Sequence, residues 1–442
     1  MNPAKRLHSV LLMLASATLV ACGGSSGSGS GSGTVTAPPD GCSVAAQNES
    51  IYEIMQQYYL WYEELPAVDP TSFDSQQALL DALRFLPQDR FSYLTTVAEE
   101  EALFGASQFV GFGYRQRVDG DTVTVLDVYE GGPAATGGLD RGSSILAIDG
   151  VPIADVLASD GGLTEALGPR EIGFEVELTF LNQAGVEITE TFAKDTVTIP
   201  PVTATRVFDV GGATTGYMVF RNFVTPGVDA LDAAFDDFQA AGVRQLIVDL
   251  RYNGGGLVSV LEHFADLLAS RTAPSQPFAA YRYNDKNSGR DRTFFLDSTP
   301  PNEALLLDKV VFITTGGTAS ASEMLVNGIP PYITAAVVGT PSFGKPVGQL
   351  GFRICENVLR PVSFAVVNGL GEGDYFDGLP VDCAAVDDPA FGFGAAGEES
   401  FDAAVHWLEL GFCPQTNLQV EMLADGLKPP AERPRWRLND AY

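Results

Sequence analysis

The chain has 442 residues, of which 45% are hydrophobic, and it sets 26 Lys+Arg against 56 Asp+Glu for a formal net charge of −30. That length accommodates two or three domains with substantial apolar cores. The excess of negative charge repels nucleic acid and anionic lipid headgroups and excludes both as partners; most of the acids read as solvated charge that favours solubility.

The chain opens MNPAKRLHSVLLMLASATLVACGG, with Lys5 and Arg6 ahead of an apolar run from Val10 to Ala21. That run is too short to span a bilayer as a mature helix. It ends Leu19-Val20-Ala21-Cys22 before glycines, which resembles the lipobox of a bacterial lipoprotein signal; an ordinary secretory signal peptide is the alternative. The resemblance implies a signal over residues 1–22, lipid on Cys22 and a place in the cell envelope facing the periplasm. Gly23, where Asp would favour the inner membrane, points to the outer one. Residues 23–41 form a Gly/Ser tether stiffened by a Pro pair. No later segment reads as a membrane span, so contact with the membrane is expected through the lipid alone.

Residues 42–106 read as a small helical domain. SIYEIMQQYYLWYEELP and SQQALLDALRFLP carry apolar residues at three- and four-residue intervals, with Pro66 and Pro87 as stops. The aromatic stripe Tyr52, Tyr58, Tyr59 and Trp61 is expected in a core. Four further cysteines, Cys42, Cys355, Cys383 and Cys413, favour disulfides in an exported chain and lack zinc-site spacing. The separation of Cys355 and Cys383 suits neighbouring elements, which leaves Cys42 for Cys413; free thiols are the alternative.

From Gln108 the texture changes to short β segments around EGGPAATGGLDRGSSILAIDGVPI. Residues 107–198 resemble a PDZ domain, a β-sandwich-like module, although Ser143 stands where that family usually has Asp. The resemblance implies that an extended peptide, above all a free C-terminus, adds to a strand edge beside a helix. Gly111, Phe112, Gly113 and Tyr114 match the turn that receives the terminal carboxylate. An empty groove that merely packs against its neighbour is the alternative.

Residues 199–415 alternate strand and helix, which predicts an α/β domain with a mainly parallel sheet covered by crossover helices. The whole is thus a multidomain α+β chain, with a loose tail over 416–442. DDPAFGFGAAGEES is expected as an exposed loop, and GEGDYFDGLPVDC as a segment that completes the sheet without chemistry.

In TTGGTASASEMLVNGI, Ser320 and Ser322 follow a predicted strand and open a predicted helix. A nucleophile suits that place, since N–H groups at a helix start stabilise a negative oxygen. A base must activate it. The three histidines serve poorly, since His8 lies in the signal and His263 and His406 lie within helix patterns. Lysine works when burial lowers its pKa, and Lys345 sits in a Gly-bounded turn after an apolar strand. The triple glycine after Asn253 lacks the G-K-[ST] ending of a phosphate loop.

Together IVDLRYNGGG, GGTASASE and VVGTPSFGKPVGQ resemble the S41 family of serine peptidases, the C-terminal processing proteases, over about residues 50–413. The resemblance implies a PDZ domain beside a Ser-Lys dyad, polypeptide substrates and no cofactor or metal. It maps the nucleophile to Ser320, the base to Lys345, and a glutamine one helical turn further on to Gln349. Backbone N–H groups of Ala321 and of the Gly254-Gly255 turn would receive the oxyanion. Pro346, and Gly254 in place of a usual proline, depart from the family pattern without removing a catalytic group. Ser322 is expected to be structural, and Glu323 to stabilise the helix start or a neighbouring loop.

Overall fold

The computed structural model describes residues 41–415 apart from Pro87. The signal-like segment with Cys22, the tether up to residue 40, Pro87 as a helix stop and the tail from 416 lie outside the described residues.

The first region holds helices α1 (Val44–Tyr58) and α2 (Gln76–Leu83), strand β1 (Tyr93–Thr96) and the one-turn helix α3 (Val97–Glu100). Ser43 and Ser75 cap the first two helices by accepting the N–H groups of Ala46 (3.2 Å) and Ala78 (3.1 Å). The helical spacing buries Ile51, Ile54 and Met55 on one helix and Leu79, Leu80 and Leu83 on the other. These residues close no core of their own: they pack with Val347, Leu350, Phe352 and Leu359 from far down the chain. Tyr59 is fully buried there, and Tyr52, Tyr58 and Trp61 pack around it. The carbonyls at the end of α1 lack helical partners and are met by side chains from a distant hairpin. Lys286 donates to Gln56 O (2.8 Å), Asn287 to Gln57 O (2.7 Å) and Asn284 to Tyr59 O (2.9 Å).

A π-helical turn at Glu101–Gly105 leads to a middle region. It comprises β2 (Gln108–Gly111), β3 (Tyr114–Asp119), β4 (Thr122–Val128), α4 (Pro133–Thr136), β5 (Ser144–Ile148), β6 (Val151–Pro152), α5 (Ile153–Ala158), α6 (Gly162–Ala166), β7 (Glu175–Leu181), β8 (Glu187–Ala193) and β9 (Asp195–Thr198). Strands β3, β4, β5, β7 and β8 form an antiparallel sheet in that order, with β3 at one edge, while β2 pairs with β9. Alternation along the strands sends Val125, Leu178 and Phe180 into a core of this region's own.

The third region runs β10 (Val202–Val210), β11 (Ala213–Phe220), α7 (Gly227–Ala240), β12 (Gln245–Asp249), α8 (Val258–Ala269), β13 (Pro277–Tyr283), β14 (Arg292–Phe295), β15 (Lys309–Thr314), α9 (Ala321–Gly328), β16 (Thr334–Gly339), β17 (Val347–Gln349), β18 (Phe352–Ile354), β19 (Asn357–Arg360), β20 (Val362–Asn368), β21 (Cys383–Ala384) and α10 (Glu399–Leu410). Its central sheet has the order β10-β11-β12-β15-β16-β21, parallel from β11 onward. The central strands are apolar on both faces because helices cover both: α7, α8 and α9 share one core, and α10 shares the other. A second, antiparallel sheet β14-β13-β20-β17 and a smaller one, β1-β19-β18, flank it. Strands β12 and β15 are neighbours and parallel, so the loops leaving their C-terminal ends meet. In such sheets that crevice is where ligands bind.

Two expectations are corrected. The disulfides join Cys42 to Cys355 and Cys383 to Cys413, not Cys355 to Cys383 and Cys42 to Cys413. Cys355 lies at the turn between β18 and β19, against which α1 packs, whereas Cys383 sits on the edge strand β21 beside the end of α10. Replacing Cys42 and Cys355 together by serine opens a 313-residue connection. This is expected to lower the unfolding free energy by about 3 kcal/mol, read as a lower denaturant midpoint. The stretch DDPAFGFGAAGEES is not simply an exposed loop, because Asp387 and Glu398 are buried within it. Both accept from Arg251 Nη1, at 2.9 and 2.8 Å, while Arg251 Nη2 bonds Asp249 at 2.6 Å. A buried guanidinium demands such partners. Asp387 also accepts from Arg141 of the middle region (2.6 Å), and Arg221 grips Asp127 with two bonds (2.9 and 2.8 Å).

Candidate active site

The chain leaves β15 at Thr314 and turns through two glycines into α9, so Ser320 becomes the N-cap residue of that helix. Its backbone is in a rare conformation, φ +56° and ψ −116°. A non-glycine residue held there costs about 1–3 kcal/mol and persists only where its surroundings fix it. The fixing is visible. Ala319 N–H donates to Asn253 O (2.9 Å), Ser322 Oγ donates to the same carbonyl (3.0 Å), and Ser320 N–H donates to Glu323 Oε2 (2.8 Å). Ser322 is fully buried and committed to this bond, which gives it a structural part.

The glycine turn after β12 lies directly against this segment. A Cβ on Gly255 would come within 2.8 Å of Ala319 O, Ala321 N and Ser320 Cβ, and its φ is +96°. Only glycine allows that approach. Asn253 holds the turn: its Nδ2 donates to Phe220 O (2.7 Å) and its Oδ1 accepts the Gly255 N–H (2.9 Å). The Gly255 amide is therefore already engaged, while Gly256 and Ala321 line the open cleft.

Lys345 follows β16 in a turn closed by Gly344, whose φ is +90° and whose Cβ would meet Phe376 O at 2.3 Å. The lysine is buried, yet it lines the same cleft as Ser320. Its Nζ donates to Gln349 Oε1 (2.6 Å). Gln349 lies on strand β17 and not one helical turn beyond the lysine, because Pro346 and the pairing of β17 with β20 impose extended backbone. Its Nε2 is held by Phe91 O (2.6 Å). Burial pushes the ammonium of Lys345 well below the usual lysine range. The charges of Glu323 and Asp89 oppose that fall, and Arg360 adds to it. A neutral amine is thereby favoured.

Glu323 stabilises both the helix start and a neighbouring loop. Fully buried, it accepts four bonds: from Ser320 N–H (2.8 Å), Ser342 Oγ (2.5 Å), Gly344 N–H (2.7 Å) and Lys345 N–H (2.8 Å). One carboxylate thus spans the serine turn and the lysine turn. Burial raises its pKa, and the four donors pull it back. Three of them are backbone amides that can only donate, so the group sits as a carboxylate.

Asp89 and Arg90 were missed altogether. Asp89 accepts from Tyr59 OH (2.8 Å) and from the N–H groups of Phe91 and Ser92 (3.0 and 2.8 Å), which shapes the segment that anchors Gln349. Arg90 donates to Phe343 O (2.7 Å) and Gly344 O (3.2 Å), clamping the lysine turn from the first region. The one available signal was the charged pair in QDRFSY, set among aromatics after an amphipathic helix.

The remaining candidates lie elsewhere. His263 pairs with Asp232 (2.6 Å), His406 meets the Phe412 ring edge-on, and neither lines the cleft. Gly111, Phe112, Gly113 and Tyr114 sit together where β2 passes into β3, all four buried, outside the cleft. Phe112 O accepts from Ala134 N–H and Gly113 O from Tyr129 N–H, both at 2.8 Å. The cleft itself, about 1140 Å³, opens between the first and third regions.

A strained serine at a helix start, a glycine turn against it and a buried lysine thus share one cleft. Comparison with known proteins gives the kinship of the chain. Residues 214–365 match the peptidase family S41 and residues 46–93 match the peptidase S41 N-terminal domain. The chain is thus similar to peptidase family S41 in both of these segments. It is 27% identical over 259 residues to a carboxyl-terminal-processing protease of Synechocystis, covering 58% of this chain and 57% of that one. It is 29% identical over 263 residues to the chloroplastic C-terminal processing peptidase of Tetradesmus obliquus, covering 55% and 53%. The chain thus spans little more than half the length of these curated relatives. Among solved structures, a putative S41 protease of Bacteroides fragilis shares the fold with a TM-score of 0.65 at 24% identity, covering 81% of this chain and 96% of that one.

Proposed function

We propose that this protein is a serine endopeptidase that uses a Ser-Lys dyad to cut polypeptides, near C-termini held by its middle region. The observation that carries the reading is the buried Lys345, tied to Gln349 and facing the same cleft as Ser320. Ser320 Oγ attacks the peptide carbonyl carbon while its proton passes to neutral Lys345 Nζ. The oxyanion that forms is received by the Ala321 N–H and by an amide of the glycine turn other than that of Gly255, which Asn253 Oδ1 already holds. The C–N bond then breaks, and Lys345 returns the proton to the leaving amine. Water repeats the sequence on the acyl-enzyme and frees the serine. Gln349 holds the amine in place, and no metal or cofactor enters.

The middle region is read as a PDZ domain. Its strand β3 is an edge strand, and an edge can accept an added peptide strand beside Gly111, Phe112, Gly113 and Tyr114. The chain is read as a lipoprotein of the bacterial envelope, anchored through Cys22. Among the described residues no helix is long and apolar enough to cross a membrane.

The test is degradation of an unfolded reporter with a free apolar C-terminus by wild type, Ser320→Ala and Lys345→Ala. Wild type alone is expected to cleave, with each variant down at least ~10³-fold. Equal cleavage by all three would remove Ser320 as the nucleophile.

A further inference from the structure

We propose that Arg290 is a specificity determinant that binds a carboxylate of the peptide in the cleft. The inference rests on the peptidase reading for the nature of the ligand. Three arginines line this cleft: Arg290, Arg292 and Arg360. Two are already neutralised. Arg360 gives Nε and Nη2 to Glu100 at 2.6 and 2.8 Å, and Arg292 gives Nη2 to Glu262 at 2.5 Å. Arg290 differs. Its guanidinium lies 5.6 Å over the Tyr58 ring, and among the described residues no carboxylate forms an ion pair with it.

The acids nearest in sequence are turned to other tasks. Asp291 Oδ1 accepts the Tyr283 N–H (2.8 Å), and Asp285 Oδ1 accepts the Lys286 N–H (2.9 Å). Glu101, which also lines the cleft, stands on the separate turn that leads to the middle region. The backbone that carries Arg290 is held firmly, since its short 3-10 helix is pinned to the end of α1 by Asn284, Lys286 and Asn287. A cation without an ionic partner, on a fixed element, is presented to a reaction cleft in a chain of net charge −30. A peptide carboxylate is the group that complements it. That carboxylate comes either from the substrate's own C-terminus or from an Asp or Glu side chain.

The experiment measures binding, so it does not depend on turnover. In full-length Ser320→Ala protein, fluorescence anisotropy is read for labelled peptides of one unfolded, apolar sequence. They carry a free or amidated C-terminus, and Glu or Gln at each internal position in turn. One carboxylate-bearing form is expected to bind about 5-fold tighter than its neutral twin. That preference should shrink as salt rises. Arg290→Ala on the same background is expected to reduce the ratio to about 1, Arg290→Glu to invert it, and Arg290→Lys to retain most of it. The free-versus-amidated pair and the Glu-versus-Gln pairs tell the two sources apart. Peptides that bind with no carboxylate preference, or a preference that survives Arg290→Ala, would overturn the proposal. A preference that depends on Arg290 in a wild-type protein that cleaves none of these peptides would sink the peptidase reading alone.

Discussion

Replacing Lys345 by arginine is expected to abolish peptide cleavage, by at least ~10³-fold, and to cost stability because the buried charge is permanent. Arginine keeps the positive charge but does not deprotonate at any working pH, so it cannot take the serine proton. The wild-type enzyme carries the complementary signature in its pH profile. Burial holds the Lys345 ammonium well below the usual lysine range, so kcat/KM should rise with pH through that lowered pKa and level off well before the range in which an ordinary lysine titrates. A profile that climbs only near pH 10 would contradict a lowered lysine pKa. The same shift has a stability consequence. The unfolded chain holds a proton on this lysine up to about pH 10.4, whereas the folded chain has released it earlier, so stability rises with pH between the two values. Lys345→Met should therefore be inactive and yet gain stability, most of all at the acid end of that window. Thermal melts across pH provide the check.

Glu323→Ala is expected to be the most damaging single change away from the dyad. It strands three backbone N–H groups and the Ser342 hydroxyl in a fully buried place. Each unsatisfied group costs about 1–3 kcal/mol, and partial relaxation brings the expected loss of stability to about 3–5 kcal/mol. Activity should fall further than folding does, because the deleted group holds the Ser320 amide to the Gly344 and Lys345 amides. Glu323→Gln separates the two effects. Its amide keeps one acceptor oxygen and turns the other position into a donor facing N–H groups. The variant should fold, with kcat down by about 10²-fold and KM little changed. A Glu323→Gln enzyme of wild-type kcat would reduce the carboxylate to a packing part.

Much of this arrangement was legible in the residues. Alternating apolar strands and amphipathic helices announced the α/β region, and the small residues around Ser320 announced a tight strand-to-helix turn. The Gly-bounded Lys345 was readable because lysines are scarce. Residues that act through backbone groups left no comparable trace. Arg90 works by meeting the carbonyls of Phe343 and Gly344, and nothing in FLPQDRF says where those carbonyls will be. Glu323 was readable as a helix-start acid, but its reach to a turn some twenty residues on depends on how β16 returns beside β15. The disulfide pairing failed for the same reason. Which cysteines approach is decided by the packing of α1 on the β18–β19 hairpin and of α10 beside β21, and sequence separation does not report either. The resemblance set Gln349 one helical turn beyond the lysine, and the strand pairing that extends this segment instead is a tertiary effect.

The first helical region shares its core with β17–β19 and anchors Gln349 through Phe91 O, a contact spanning 258 residues of sequence. Such contacts have high contact order and are among the slower ones to form. A newly made chain can complete its central sheet, with Ser320 and the glycine turn in register, before the early helices have docked. In that interval Gln349 lacks its anchor on Phe91 O and the lysine turn lacks its clamp from Arg90. The finished geometry around Lys345 is therefore the last part of the cleft to form, and the delay is written into the distance between residues 91 and 349.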